Sequence, residues 1–132
     1  MPDYHAPFRI DAPWRLPLRA FGVRTRTAEV VLDDAGFHAR FGRFAVDAPW
    51  EDVADAAVSG PYRAHRAIGP RLSLADKGAT FGSSTAGGTC VSFHRPVAAL
   101  FGRRRVHPGL TVTVADPEGL RDAILAELAA RS

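Results

Sequence analysis

The sequence contains very little cysteine and no long apolar run. Cys90 is the one cysteine among 132 residues, so no disulfide can form within the chain, and a lone thiol fits a reducing compartment. No stretch approaches the roughly 18 consecutive apolar residues of a transmembrane helix. Residues 1–11 carry two acids and lack the apolar segment of a secretory signal. We therefore expect one cytoplasmic domain, residues 1–132, without a transmembrane segment.

Lysine is almost absent as well. Lys77 is the one lysine among 17 basic residues, and abundant arginine, alanine, glycine and proline are typical of a high-GC genome. The charge is distributed unevenly, because residues 28–58 carry a net charge of −5 and residues 59–110 carry +7. Two interpretations stay open. Acidic and basic strands neutralise each other side by side, or residues 59–110 form a basic face that attracts anions.

Alternating side chains predict antiparallel sheet over residues 28–58. Apolar residues at positions 37, 39 and 41 alternate with His38 and Arg40, as in a strand with one buried face. The stretch Asp33–Gly36 predicts a hairpin turn, because aspartate bonds to turn backbone and glycine accepts positive φ. The stretch Pro49–Asp52 predicts a single helical turn. Residues 53–58 then resume as a strand in preference to a helix, because Gly60 and Pro61 end the element early.

Further strands are predicted at residues 71–74, 79–81, 89–93 and 110–114. We expect residues 79–81 and 89–93 to pair as a hairpin across the glycine-rich stretch 82–88. Residues 95–109 are interpreted as a long connection. Four prolines between residues 2 and 17 remove backbone donors, so residues 1–24 are predicted to form an extended arm packed on the domain.

The C-terminal segment predicts an amphipathic helix over residues 117–131. Asp116 is a candidate N-cap, Pro117 suits the first helical position, and Glu118 places negative charge in the first turn. The apolar positions at helical spacing are Leu120, Ala123, Ile124 and Leu128. Together the elements predict a mainly β, α+β fold. It is a bent antiparallel β-barrel or sandwich of about seven strands, capped by one C-terminal α-helix.

Two short motifs and the chain ending carry a family resemblance. The stretches Leu32–Phe37 and Pro49–Val53, followed by the strand and helix of residues 110–128, resemble bacterial pleckstrin-homology-like (PH-like) domains of an actinobacterial type. The resemblance implies a bent barrel closed by the last helix. It also implies a non-enzymatic binding or scaffold module, most directly for protein–protein interaction or self-association. Residues 1–24 and 95–109 depart from the family pattern.

The residues that usually carry catalysis lack a supporting pattern. Ser83 and Ser84 are not in a Gly-x-Ser-x-Gly elbow, and Cys90 is better explained as a small buried side chain. The five histidines show no spacing typical of zinc ligands. We therefore predict no catalytic, metal or cofactor-binding residue and no cofactor. A small-ligand barrel or an enzyme stays the weakest alternative.

An arginine run is the strongest candidate for ligand binding. Arg103, Arg104 and Arg105, with Arg95 and His107, form a predicted anion site, because arginine binds phosphate bidentately. The corresponding alternative function is a peripheral binder of anionic lipid or of a phosphate-bearing ligand. The competing interpretation is a solvated loop that keeps the protein soluble. Nucleic acid is disfavoured, because aromatic residues do not interleave with the arginines.

Overall fold

A computed structural model describes most of the chain. The described residues are 4–10, 18–19, 22, 28–42, 44–59, 69–72, 79–82, 87–98 and 105–131. For residues 59, 69–72, 105 and 106 the backbone alone is described.

The described strands form two sheets joined by a short turn. The first sheet has the order β1-β2-β3-β4, with β1 Tyr4–Pro7, β2 Ala28–Asp33, β3 Gly36–Phe41 and β4 Phe44–Ala48. The second has the order β5-β8-β9-β7-β6, with β5 Val53–Ser59, β6 Gly69–Leu72, β7 Ala79–Gly82, β8 Gly88–Ala98 and β9 Arg105–Val112. The chain passes from the first sheet to the second through a 3₁₀ turn, Trp50–Asp52, and ends in helix α1, Pro117–Arg131.

Aromatic side chains hold the two sheets face to face. The rings of Phe41 in β3 and Phe81 in β7 stack with centroids 5.4 Å apart. At the other end, Phe37 approaches Phe93 of β8 at 6.2 Å. Phe37, Phe41 and Phe81 are fully buried, and each such side chain removes a large apolar area from water. The predicted inward positions of β3 therefore form the centre of the core.

The sandwich form of the predicted fold is confirmed, and so is the C-terminal helix. The number of strands differs, because nine strands are described where about seven were expected. Residues 4–7 of the predicted arm pair with β2, and much of the predicted connection 95–109 is strand in β8 and β9. In the described part of the chain the strands lie in two separate sheets and do not close into one barrel.

The predicted hairpin of residues 79–81 and 89–93 is wrong. Strand β9 lies between β7 and β8, antiparallel to β8 and parallel to β7. Leu110 and Val112 of β9 are fully buried, so this β-branched and aliphatic strand takes a central position with partners on both sides. Neighbouring strands in the sequence usually pair, but that tendency does not determine order within a sheet.

Helix α1 begins as its sequence predicts. The carboxylate Oδ1 of Asp116 accepts a hydrogen bond from the N–H of Gly119 at 3.0 Å, which is N-cap geometry. Leu120 and Ile124 are fully buried, and the helix packs against β5 and β8. The hydroxyl of Thr89 in β8 donates to the carbonyl of Pro117 at 2.8 Å. The helix start is therefore fixed to the second sheet by packing and by a partly buried hydrogen bond.

The other end of α1 is tied to the first sheet. The guanidinium of Arg131 donates to the carbonyl of Asp34 in the β2–β3 turn at 3.2 Å. The same guanidinium lies 5.6 Å from the centre of the Trp50 ring, within cation–π range. Trp50 in turn donates its indole N–H to the carbonyl of Asp33 at 2.7 Å. Three elements that are distant in sequence therefore meet at one corner.

The β2–β3 turn allows only glycine at position 36. Gly36 has φ 149°, and a Cβ atom there would lie 2.1 Å from the carbonyl oxygen of Ala48. We expect Gly36→Ala to lower the free energy of unfolding by about 2–4 kcal/mol, from backbone strain and the displacement of β4. Chemical denaturation measures this change. Gly42→Asn is the matched control, because Gly42 at φ 61° is in the left-handed region that asparagine tolerates. Equal effects of the two substitutions would contradict the steric explanation.

Candidate functional site

A cleft of about 440 Å³ opens between β4 and β8, and we call it the β4–β8 cleft. Its size is typical of ligand pockets. Eight residues line it: Ala45 and Asp47 from β4, Pro49, Glu51 and Asp52 at the 3₁₀ turn, and Arg95, Val97 and Ala98 from β8. The cleft thus lies where the chain crosses from one sheet to the other.

The free edge of β4 lines this cleft. Among the described strands, β4 is hydrogen-bonded to β3 alone. Phe41 and Phe44 are partners across a two-residue turn, so they form the hydrogen-bonded pair that closes the hairpin. Pairs alternate along an antiparallel ladder, so the backbone N–H and C=O groups of Ala45 and Asp47 point away from β3. The edge therefore presents backbone donors and acceptors beside the cleft.

A nearly buried carboxylate forms the floor of the cleft. The side chain of Asp52 is 4 % exposed, and its Oδ1 accepts a hydrogen bond from Nε of Arg95 at 2.5 Å. The Nη2 atom of Arg95 is also 3.6 Å from the carboxylate of Glu51. Both acids are held by the 3₁₀ turn, in which the N–H of Asp52 bonds to the carbonyl of Pro49 at 2.9 Å. A carboxylate as buried as that of Asp52 needs a cationic partner, and Arg95 is that partner.

A charged cluster lies next to the cleft on the outer face of the first sheet. The ring of His38 contacts two carboxylates, with Nδ1 2.7 Å from Asp47 and Nε2 3.0 Å from Asp33. Arg40 donates to the same Asp47 oxygen at 3.0 Å. Only the protonated imidazolium can donate from both nitrogens at once. The cluster therefore favours charged His38 and fixes Asp47 at the rim of the cleft.

The pKa values in this cluster move in the directions that the contacts require. Desolvation lowers the pKa of His38, but the hydrogen bonds that its ring donates to Asp47 and Asp33 outweigh this effect, so the pKa is raised above 6.5. The hydrogen bond to His38 lowers the pKa of Asp33 below 3.8, assisted by the N–H groups of Ala35 and Gly36. Desolvation raises the pKa of Asp47, but its bonds to His38 and Arg40 outweigh that and lower it. All three groups are therefore stabilised in their charged forms.

The residues of the predicted anion site are placed differently from one another. Arg95 lies on β8 and pairs with the carboxylates of Asp52 and Glu51. His107 is fully buried on β9, opposite Val97 of β8. Arg105 begins β9 and its backbone pairs with Ala98, whereas Arg103 and Arg104 lie outside the described residues. The anion site stays a prediction. Because His107 is fully buried, the prediction depends on the arginine run.

Comparison of the chain with protein-family models, with curated proteins and with solved structures gives no match. Across the described ranges, no helix is both long and apolar enough to cross a membrane. Over the same residues, no three histidine, cysteine or acidic side chains are placed to hold a metal ion.

Two features of this region were not predicted from the sequence. The His38–Asp47 contact could have been predicted from the sequence. A two-residue turn at Gly42–Arg43 fixes the strand register and places position 47 opposite position 38. The Asp52–Arg95 pair has no comparable signal. It joins residues 43 positions apart, and alternation along β8 does not reveal which element lies against it.

The cluster predicts a specific pH dependence of stability. The pKa of His38 is higher in the folded state than in the unfolded state. Its contribution to the free energy of unfolding is therefore complete below about pH 6.5, the unfolded pKa, and is lost as pH rises through the folded pKa. The lowered pKa values of Asp33 and Asp47 act oppositely. Their contribution is present above about pH 3.8 and is lost as pH falls through the folded values. We expect His38→Gln to lose most stability, relative to the native chain, on the acid side of neutrality.

Urea denaturation of both proteins between mildly acidic and mildly alkaline pH measures this effect. The free-energy difference between the native chain and His38→Gln should shrink as pH rises. A difference that is constant across the range would show that protonated His38 does not stabilise the fold.

Proposed function

We propose that this chain is a non-enzymatic, PH-like binding module that recognises a protein partner, and that the partner adds an extended segment to the free edge of β4. The observation that carries the proposal is the edge of β4 beside the β4–β8 cleft, with which no described strand pairs. Strand addition uses backbone hydrogen bonds for affinity and the neighbouring side chains for selection. The resemblance to PH-like domains fits a binding role, although a fold alone does not determine function.

The other described sheet edges are less suited to a partner. The outer side of the β1 segment is already engaged, because Phe8 bridges to Val114 and the N–H of Ala115 bonds to the carbonyl of Pro7 at 2.9 Å. Strand β5 packs against α1. Strand β6 contains Pro70, which has no N–H to donate, and prolines commonly protect exposed edges from pairing. Among the described residues, β4 is hydrogen-bonded to β3 alone and contains no proline, and it packs against β8 on the far side of the cleft.

Blocking the β4 edge tests this proposal. Ala45 is exposed, and its N–H is directed away from β3, so Ala45→Pro removes a donor from the free edge without removing a ladder bond. Peptides selected on the native chain from a random displayed library should bind Ala45→Pro at least about tenfold more weakly, since one backbone hydrogen bond is lost. Titration calorimetry with the selected synthetic peptides measures the affinities.

Ala45→Val is the matched control, because it keeps the N–H and suits a strand. It should bind the same peptides as tightly as the native chain, and both variants should unfold at similar denaturant concentrations. Failure to select any peptide, or equal binding by Ala45→Pro, would remove the β4 edge as the recognition site.

A second candidate function is peripheral binding of anionic lipid through Arg103–Arg105. The supporting observation is that β8 and β9 pair as far as Ala98 and Arg105, and that Arg103 and Arg104 directly precede Arg105 in the sequence. Basic residues near an anionic surface contribute about 1 kcal/mol each. The triple substitution Arg103→Ser, Arg104→Ser, Arg105→Ser should therefore weaken binding to phosphatidylserine-rich vesicles by at least about tenfold.

Co-sedimentation with these vesicles measures the lipid binding, and vesicles of phosphatidylcholine alone are the uncharged control. The native chain should sediment with the anionic vesicles and less so at high salt. Unchanged sedimentation of the triple variant would exclude the arginine run as a lipid site.

A further inference from the structure

We infer that the C-terminal part of α1, residues 125–131, is a pH-controlled cover over the Trp50 ring. We call these residues the α1 end. The cover is closed while His38 is charged and opens when His38 becomes neutral. The inference is independent of strand addition at β4, because it concerns how α1 is held to the β2–β3 turn.

The α1 end is held less firmly than the start of the helix. Leu120 and Ile124 are fully buried, whereas no side chain of residues 125–131 is buried. Leu128 packs against the core from a partly buried position, and Leu125 is exposed. Segments with few buried apolar contacts open locally at a lower free energy than the rest of a fold. The α1 end can therefore separate while the start of the helix stays in place.

A cavity of about 380 Å³ lies beneath the α1 end. Its lining comes from the 3₁₀ turn, β5, β8 and α1: Trp50, Glu51, Val53, His94, Leu128 and Arg131. Atoms that border an unfilled space lose dispersion contacts on that side, so the cavity weakens attachment of the helix here. Trp50 is only 6 % exposed in this closed form, and the Arg131 guanidinium lies 5.6 Å from its ring centre. Separation of the α1 end would therefore expose the ring to water.

The α1 end is tethered to the β2–β3 turn. Arg131 donates to the carbonyl of Asp34 in that turn at 3.2 Å. Trp50 donates to the adjacent carbonyl, that of Asp33, at 2.7 Å. Both the cover and the ring beneath it are thus fixed to two consecutive backbone carbonyls, so a shift of the turn disturbs both contacts.

One carboxylate oxygen joins this turn to His38. The Oδ1 atom of Asp33 accepts hydrogen bonds from the N–H groups of Ala35 and Gly36 at 2.9 and 3.1 Å, which sets the shape of the turn. The same oxygen accepts a hydrogen bond from Nε2 of His38 at 3.0 Å. Loss of the imidazole proton therefore acts directly on the group that shapes the turn.

Deprotonation leaves His38 with one donor for two carboxylates. The Nδ1 contact with Asp47 is 2.7 Å and shorter than the Nε2 contact with Asp33, so we expect the remaining proton to stay on Nδ1. The lone pair of Nε2 then faces Oδ1 of Asp33, and two acceptors at hydrogen-bond distance repel each other. The turn moves away from the imidazole, and the carbonyl of Asp34 moves with it.

The other charged groups on this face do not replace the lost contact. Arg40 bonds to Asp47 and keeps that carboxylate in place when His38 is neutral. His5 lies two strands away on the same face and pairs with Glu29 at 3.5 Å. Among the described side chains, deprotonation of His38 therefore leaves the turn carboxylate without a cationic partner.

Acrylamide quenching of Trp50 fluorescence tests whether the cover opens. Trp14→Phe makes Trp50 the one tryptophan of the chain, so the signal has a single origin. We expect the quenching constant to rise at least about twofold from mildly acidic to mildly alkaline pH, because the population with an exposed ring increases. Its midpoint should coincide with the pKa of His38, measured from the NMR shift of the imidazole ring. A quenching constant that stays the same across this range would overturn the inference.

Two histidine variants in the same background identify the titrating group. Glutamine is neutral at every pH, so His38→Gln should give the higher quenching constant throughout and remove its pH dependence. His94→Gln is the matched control, because His94 is on β8 and lines the cavity beside Trp50. It should keep the native pH dependence. Loss of that dependence in His94→Gln, or its persistence in His38→Gln, would show that His38 is not the switch.

Amide hydrogen exchange on the native chain tests the inference without any substitution. A helix end that has left its packing surface frays, so protection of residues 126–131 should fall at alkaline pH after correction for intrinsic exchange rates. Protection of Leu120 and Ile124 should stay unchanged. Protection lost equally along the whole helix would indicate general destabilisation, and protection retained at every position would indicate a fixed helix end. Either result would overturn the inference.

Discussion

The hydrogen bond from the Trp50 indole to the carbonyl of Asp33 fixes the point at which the chain leaves one sheet for the other. Trp50 is buried and begins the 3₁₀ turn, so its position sets the direction of the two acids that follow it. Asp52 then contacts Arg95 of β8, and Arg131 at the end of α1 lies over the Trp50 ring. Both sheets, the helix end and the cleft therefore depend on the placement of a single aromatic side chain.

This dependence explains why the cleft has a polar lining in a protein with an aromatic core. The Phe41–Phe81 stack closes the sandwich at one end, where the sheets are in direct apolar contact. At the crossover, the turn lines the cleft between β4 and β8 and contributes two carboxylates to it. Buried charge requires a partner. The Asp52–Arg95 pair thus adds a charged contact between the 3₁₀ turn and β8, beside the Phe37–Phe93 contact that joins the two sheets.

Local patterns predicted the local structure well. Alternation in β3, the Asp33–Gly36 turn, the Pro49–Asp52 turn and the Asp116 cap each depend on residues within a few positions of one another, and each is present. The order β8-β9-β7 was not predicted, because it depends on which strand has a hydrogen-bonded neighbour on each side. The site depends on the same kind of long-range information, since the partner of Asp52 is set by how the sheets pack and not by neighbouring residues.

The parallel pairing of β7 with β9 has a consequence for synthesis on the ribosome. The β6–β7 hairpin is complete once residue 82 has been made, but its position in the sheet is defined by β9, which ends at Val112. During translation the hairpin therefore lacks its neighbour within the sheet for about thirty further residues, an interval of a few seconds at typical elongation rates. Pro70 in its outer strand limits the pairing that this nascent hairpin can make with other chains in that interval.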